Sequence, residues 1–266
     1  MAFETLAVRT ASAVVLAPAF LWVVWVGGWL FAVVLGAIAL ASMHEFCAMA
    51  TAGGHAPCRW LAFAGALAIF AGAYAAGFHG AALAMTVFPL LLILPYLASA
   101  DFSKAAVDSS LTLLGVVQYA YFLSFLFIVR SDPERGLGAL AALLALVWVE
   151  DSVAYLVGSA AGKRPLTPIS PKKTWEGTGA GFVVSALAAA ALLKYGFGHP
   201  VGIVTVALLA VVGALGQLGD LSESLLKRNF GVKDSGATIP GHGGLMDRFD
   251  SLCFSAPAMY VLYPWM

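Results

Sequence analysis

Long apolar runs separated by short polar breaks follow one another along the whole chain. A helix needs roughly 20 mostly apolar residues to cross a bilayer. Nine stretches approach that length: about 10–26, 29–50, 59–78, 80–98, 110–129, 136–158, 178–196, 201–221 and 250–265. The breaks carry turn-forming residues, namely Gly27-Gly28, Gly53-Gly54 with Pro57, Asp101 with Lys104, Asp132-Pro133 and His199-Pro200. Only a Gly/His turn parts the third run from the fourth, and Pro89 and Pro95 fall within the fourth or at its end, where lipid tolerates a kink. The pattern predicts an all-α fold, a polytopic transmembrane helix bundle of about nine spans. Residues 1–266 then form one membrane domain, with N-terminal helices over 1–135 and a more polar half over 136–266.

Composition agrees. Hydrophobic residues make up 61% of the chain and charged residues 11%, against about 25% charged in a soluble domain; the mean hydropathy is +0.92. Fourteen basic side chains balance fourteen acidic ones, which argues against a polybasic nucleic-acid binder. Cys47, Cys58 and Cys253 show no CxxC spacing and no even-numbered framework, so disulfides and zinc are not expected. The first apolar run is long enough to span. Ala17-Pro18-Ala19 lies inside it rather than after it, so the run is read as a retained helix and not as a cleaved signal.

The placement of charge adds an orientation. With a cytoplasmic N-terminus, nine spans put Arg9, Arg59, Lys104, Lys163, Arg164, Lys172, Lys173, Lys227, Arg228, Lys233 and Arg248 in the cytoplasm. Only Arg130, Arg135 and Lys194 then face out. That imbalance is what the positive-inside rule requires. The expectation is a multi-pass protein of the cell (inner) membrane, with its long polar segments on the cytoplasmic side.

Three polar stretches carry candidate chemistry. Glu150-Asp151 closes an apolar helix, where carboxylates facing lipid would be costly; either the two form an interfacial pair in headgroup water, or one of them faces a polar cavity, holding a cation or orienting a lysine. Ser170-Pro171-Lys172-Lys173-Thr174-Trp175-Glu176-Gly177 combines lysines, hydroxyls and a helix start, a combination suited to phosphate. Interfacial anchoring by the Lys pair and the Trp is the plainer reading of the same residues. The third stretch runs from Gly219 to Asp250. On a helix, Asp220, Glu223, Ser224 and Lys227 share one face, and Asp247 and Asp250 lie one turn apart. Carboxylates with flanking Lys and Arg suit a Mg²⁺-nucleotide. A structural salt-bridge network is the alternative, although burying so many charges at a membrane boundary is costly.

These residues resemble the signature of the phosphatidate cytidylyltransferases, the CDP-diacylglycerol synthases. Ser224, then Lys227-Arg228, Lys233-Asp234, Gly236, Ile239-Pro240, His242-Gly243-Gly244 and Asp247-Arg248-Phe249-Asp250 meet that pattern throughout. Asp151 with Ala154-Tyr155 and Gly158, and the stretch from Ser170 to Gly177, resemble further family features. The likeness covers about Glu150 to Asp250; the first five spans match in hydropathy and length alone. The resemblance implies transfer of CMP from CTP to phosphatidic acid, with release of pyrophosphate, as a step of phospholipid biosynthesis. It implies Mg²⁺ on Asp220 and Asp247, with Asp250 close by. It also implies a second, monovalent cation such as K⁺, which Ser224 or Glu223 would help to hold, and a homodimer.

Both reactants are anionic and repel one another until cations neutralise them, so the reaction needs positioning and charge stabilisation above all. On that basis Asp220, Lys227, Asp247 and Asp250 are the catalytic candidates, with Asp151 a further candidate metal ligand. Lys227, Arg228 and Lys233 are assigned to the CTP phosphates, and Lys172 and Lys173 to the lipid phosphate or the triphosphate tail. Ser224, His242 and Arg248 are further substrate-binding candidates. His242 is read as structural or phosphate-binding rather than as a general base, because phosphatidate is already ionised near neutral pH. Two other functions use similar residues. A CTP-dependent polyprenol kinase would release CDP instead of pyrophosphate. An ion or solute transporter would use intramembrane acids such as Glu45, Glu150 and Asp220, but the charges cluster on one side rather than at the midplane.

Overall fold

The structure is a computed structural model that describes residues 2–97, 102–236, 238–239 and 243–266, with side chains from Val14 onward. His242 lies outside the described residues. Among the described residues the fold is helical, as predicted, apart from a two-stranded hairpin between two of the long helices and an isolated bridge pairing Ile239 with Gly243. Among the described residues, six helices are long and apolar enough to cross a membrane: Gly28–Ala52, Arg59–Leu97, Ala105–Arg130, Gly136–Ala161, Trp175–Gly196 and Ile203–Asn229. A shorter apolar segment spans Val14–Val26. The cysteines are free, as expected.

The described chain forms two compact units, one of Met1–Ser131 with Lys227–Phe249 and one of Asp132–Leu226 with Asp250–Met266. In the first, α1 (Ala2–Val26) ends at Gly27, where Arg130 donates to the Val24 and Trp25 carbonyls at 2.7 and 2.8 Å. Those carbonyls have no partner within the helix, so a guanidinium is well suited to them. Next come α2 (Gly28–Ala52) and α3 (Arg59–Leu92). The latter breaks at Ala76 and Gly77, the glycine having φ +58°. Beyond the break the chain runs back on itself: a methyl group on Gly72 would strike the Gly80 carbonyl, and one on Gly65 would meet the Phe88 ring. The third and fourth predicted runs are therefore two antiparallel arms joined by a glycine that adopts a left-handed conformation. A short α4 (Leu94–Leu97) follows. Then α5 (Ala105–Val116), a π-helical turn over Val117–Phe122 and α6 (Leu123–Arg130) make one continuous rod. The core of this unit is apolar and aromatic, with Phe31, Leu35, Met43, Phe46, Leu123 and Leu126 fully buried.

In the second unit, Asp132 accepts from the Glu134 and Arg135 amides at 3.0 and 2.8 Å in the turn that leads into α7 (Gly136–Ala161). Strands β1 (Pro165–Thr167) and β2 (Ser170–Thr174) pair antiparallel, Thr167 opposite Ser170. Strand β2 leads directly into α8 (Trp175–Ala191) and a π-helical turn over Leu192–Gly196. Thr174 caps α8 by accepting from the Gly177 amide at 3.2 Å. Helix α9 (Ile203–Asn229) starts in this unit, and α10 (Met246–Leu262) ends in it, followed by a 3₁₀ turn over Tyr263–Trp265.

Candidate active site

Within the second unit, a glycine row lets helices approach closely enough to group carboxylates. A methyl on Gly213 would lie 2.7 Å from Glu150 Oε2, and one on Gly219 would lie 2.5 Å from the Asp250 carbonyl. Small residues at such points admit close backbone contact. Glu150 is therefore buried at 4% exposure against α9, while its neighbour Asp151 is exposed. Asp220 and Asp250 are half-buried. Lys173, held on β2 next to the Thr174 cap, donates to Asp220. Ser224 Oγ approaches Asp220 Oδ1 at 3.4 Å, one turn along the helix. Glu223 is fully buried, unlike the half-buried Asp220, Ser224 and Lys227 with which its spacing groups it. Lys172 is exposed. Glu176, in the first turn of α8, accepts from the Lys163 and Arg164 amides at 3.1 and 3.3 Å and so fixes the approach to the hairpin.

The signature segment in the first unit begins at the end of α9. Val232 N donates to the Lys227 carbonyl at 2.9 Å and Gly231 N to the Arg228 carbonyl at 3.2 Å. With φ +72° at Gly231, this is a Schellman ending, in which glycine takes the left-handed position. Phe230, buried beside it, packs on Phe46 and His55 with ring centroids 6.2 and 5.9 Å apart. That contact ties the end of α9 to the end of α2.

Among the described residues, Lys227, Ser235 and Gly244 donate to Asp247. Lys227 Nζ is 2.6 Å from Oδ1, and Oδ2 takes Ser235 Oγ at 2.8 Å, Gly244 N at 2.9 Å and Ser235 N at 3.3 Å. In the Gly244 contact, the carboxylate reaches back three residues to the turn that precedes α10. The Lys227 and Asp247 side chains are 15% and 11% exposed. Arg228, Lys233 and Arg248 are exposed.

A residue that the sequence suggested only as a transporter-type acid proves central to this segment. Glu45 of α2 is 4% exposed. It accepts from the Leu245 amide at 2.9 Å, the Met246 amide at 2.8 Å and the Thr238 hydroxyl. Ser235 Oγ lies 3.3 Å from Glu45 Oε2 as well as near Asp247. One hydroxyl proton serves one acceptor at a time, so the shorter Asp247 contact holds it.

Asp220 and Asp247, the two acids that the resemblance assigns to Mg²⁺, therefore each rest against a lysine expected to bind phosphate. Among the described residues, no three His, Cys, Asp or Glu side chains are grouped to hold a metal ion. The donor set still suits Mg²⁺: hard carboxylate oxygens, few per site, leave positions for water and for substrate phosphate.

Comparison with known proteins agrees with the signature. The model of the cytidylyltransferase family matches residues 7–266. A phosphatidate cytidylyltransferase of Brucella abortus is 33% identical over 271 aligned positions, 97% of this chain and 93% of that protein. One of Bacillus subtilis is 36% identical over 180 positions, 67% of this chain and 66% of that protein. One of Staphylococcus aureus is 38% identical over 173 positions, 64% and 65% of the two chains. The chain is a member of the cytidylyltransferase family.

Proposed function

We propose that this membrane enzyme transfers CMP from CTP to phosphatidic acid, forming CDP-diacylglycerol and pyrophosphate. One observation carries the reading: among the described residues of a signature that the sequence meets from Ser224 to Asp250, Asp247 is paired with Lys227, and Asp220, one turn before Ser224, is paired with Lys173. A phosphatidate oxygen bonds to the α-phosphorus of CTP, and the bond from that phosphorus to the bridging oxygen of the pyrophosphate breaks. No general base is needed near neutral pH, so the protein's task is to bind, orient and neutralise.

Asp220 and Asp247 are the acids we assign to Mg²⁺, with Asp250 and Asp151 as further candidates; Ser224 and Glu223 are assigned to a second cation. Mg²⁺, when bound, supplies charge neutralisation on the phosphates. The lysines then have a double use. Without substrate, Lys173 and Lys227 neutralise the carboxylates; with Mg²⁺-CTP present, their ammonium groups turn to phosphate oxygens. Arg228, Lys233 and Arg248 add exposed positive charge for the incoming nucleotide, and Lys172 for the phosphatidate headgroup. His242 keeps the phosphate-binding or structural role read from the sequence. The basic residues support an inner-membrane orientation with the N-terminus and this chemistry in the cytoplasm, where CTP is available.

The test is product identity. Purified protein with phosphatidic acid, Mg²⁺ and CTP should yield CDP-diacylglycerol and pyrophosphate in equal amounts. Release of CDP with a phosphorylated lipid would identify a kinase instead.

A further inference from the structure

We propose that Glu45 is a positioning residue for this reaction, the group that holds the signature loop in register around Asp247. The inference rests on the functional reading above and adds a residue outside the signature, from α2.

The geometry is specific. The first amides of a helix have no intrahelical acceptor, and those opening α10, on Leu245 and Met246, both donate to the Glu45 carboxylate. Asp247 follows directly, so the acid assigned to the metal is carried on a turn whose backbone is fixed from α2. Thr238 donates to the same carboxylate from the far side of the loop. Glu45 thus ties together two parts of the segment between Gly231 and Met246. The carboxylate also accounts for two small residues of the signature. A methyl on Gly236 would lie 2.9 Å from Glu45 Oε1, and one on Gly244 would strike the Ser235 hydroxyl and lie 2.5 Å from Glu45 Oε2. Phe230 packs against Phe46, the next residue of α2, so both ends of the loop are tied to adjacent positions of one helix.

A carboxylate suits this position better than an amide. All of its partners donate, and it offers acceptor lone pairs only. Glutamine would keep the size but direct an N–H₂ group at one set of those donors.

The experiment uses the purified full-length protein with Glu45→Gln and the milder Thr238→Val, which removes one donor at an exposed residue. Hydrogen exchange is followed over 243–249, and turnover is titrated with Mg²⁺ at saturating CTP and phosphatidic acid. The expected result for Glu45→Gln is exchange at Leu245 and Met246 faster by about tenfold or more, a kcat lower by at least a similar factor, and a shift of half-maximal activation to higher Mg²⁺. Thr238→Val should move all three readouts in the same direction by less. A merely structural role would reduce the amount of folded protein and leave the Mg²⁺ requirement of the remainder unchanged, and that result overturns the proposal. If Glu45→Gln does not fold, Thr238→Val decides: unchanged exchange and Mg²⁺ dependence refute it. Absence of CMP transfer by the wild type would refute the functional reading instead, while the exchange comparison would still report on the loop.

Discussion

The Lys227–Asp247 pair allows stability and catalysis to be separated. At 2.6 Å the Coulomb attraction is about 6 kcal/mol at an effective dielectric of 20. Desolvation of two side chains only 15% and 11% exposed offsets most of that, leaving roughly 1.5–3 kcal/mol as for other charge-assisted hydrogen bonds. Asp247→Asn keeps an oxygen for Gly244 and Ser235 but turns its amide nitrogen toward the ammonium of Lys227. It should cost about 3 kcal/mol, the low end for breaking a buried pair. Lys227→Met leaves Asp247 with its Ser235 and Gly244 donors and should cost about 1–2 kcal/mol. The double variant should be more stable than the sum of the single effects predicts, by about 1.5–3 kcal/mol. Unfolding of all four proteins in the same detergent measures the coupling; CTP turnover in the same samples should be lost in all three variants. Additive stabilities would refute the pairing, and turnover in Asp247→Asn would refute its assignment to the metal.

Three further outcomes are expected. Lys173→Met should abolish CMP transfer and lower stability by about 1–2 kcal/mol, between the exposed and buried limits, because the Lys173 and Asp220 side chains are 25% and 23% exposed; wild-type turnover would remove Lys173 from the site. Gly213→Ala should destabilise by about 1–3 kcal/mol through overpacking against Glu150, measured by detergent unfolding, and an unchanged transition would contradict the close contact. The amide of Arg135, above all, holds the Asp132 carboxyl below its ordinary value of 3.8, with the Tyr263 hydroxyl assisting. A depressed folded-state pKa means that this stabilisation is present above the ordinary value and lost as pH falls through the lowered one. Asp132→Asn should therefore flatten the fall in stability as pH drops below about 4, and an unaltered acid profile would count against these hydrogen bonds.

The helices were legible because a membrane-spanning run needs length and hydropathy alone. The turn between the third and fourth runs was legible as a Gly/His break near His79, and the structure places it slightly earlier, at Ala76-Gly77. The β1–β2 hairpin was not, being too short to show an alternation of its own. Nor was the glycine row on α9, which among so many small residues acquires meaning only when Glu150 and Asp250 lie against it. The acids and bases of the signature could be named from their spacing, but their pairing could not. Lys173 and Asp220 are 47 positions apart, and Lys227 and Asp247 are 20 apart. Glu45 is the clearest case: its amide donors lie 200 and 201 residues away, so no local pattern announces it, and in the sequence it is a lone acid in an apolar helix.

The most direct measurement is the fate of the α-phosphate. With CTP labelled at that position, phosphatidic acid and Mg²⁺, the label should enter the lipid fraction as CDP-diacylglycerol, matched by an equal amount of unlabelled pyrophosphate. Label remaining in water-soluble CDP, with the lipid gaining an unlabelled phosphoryl group, would contradict CMP transfer.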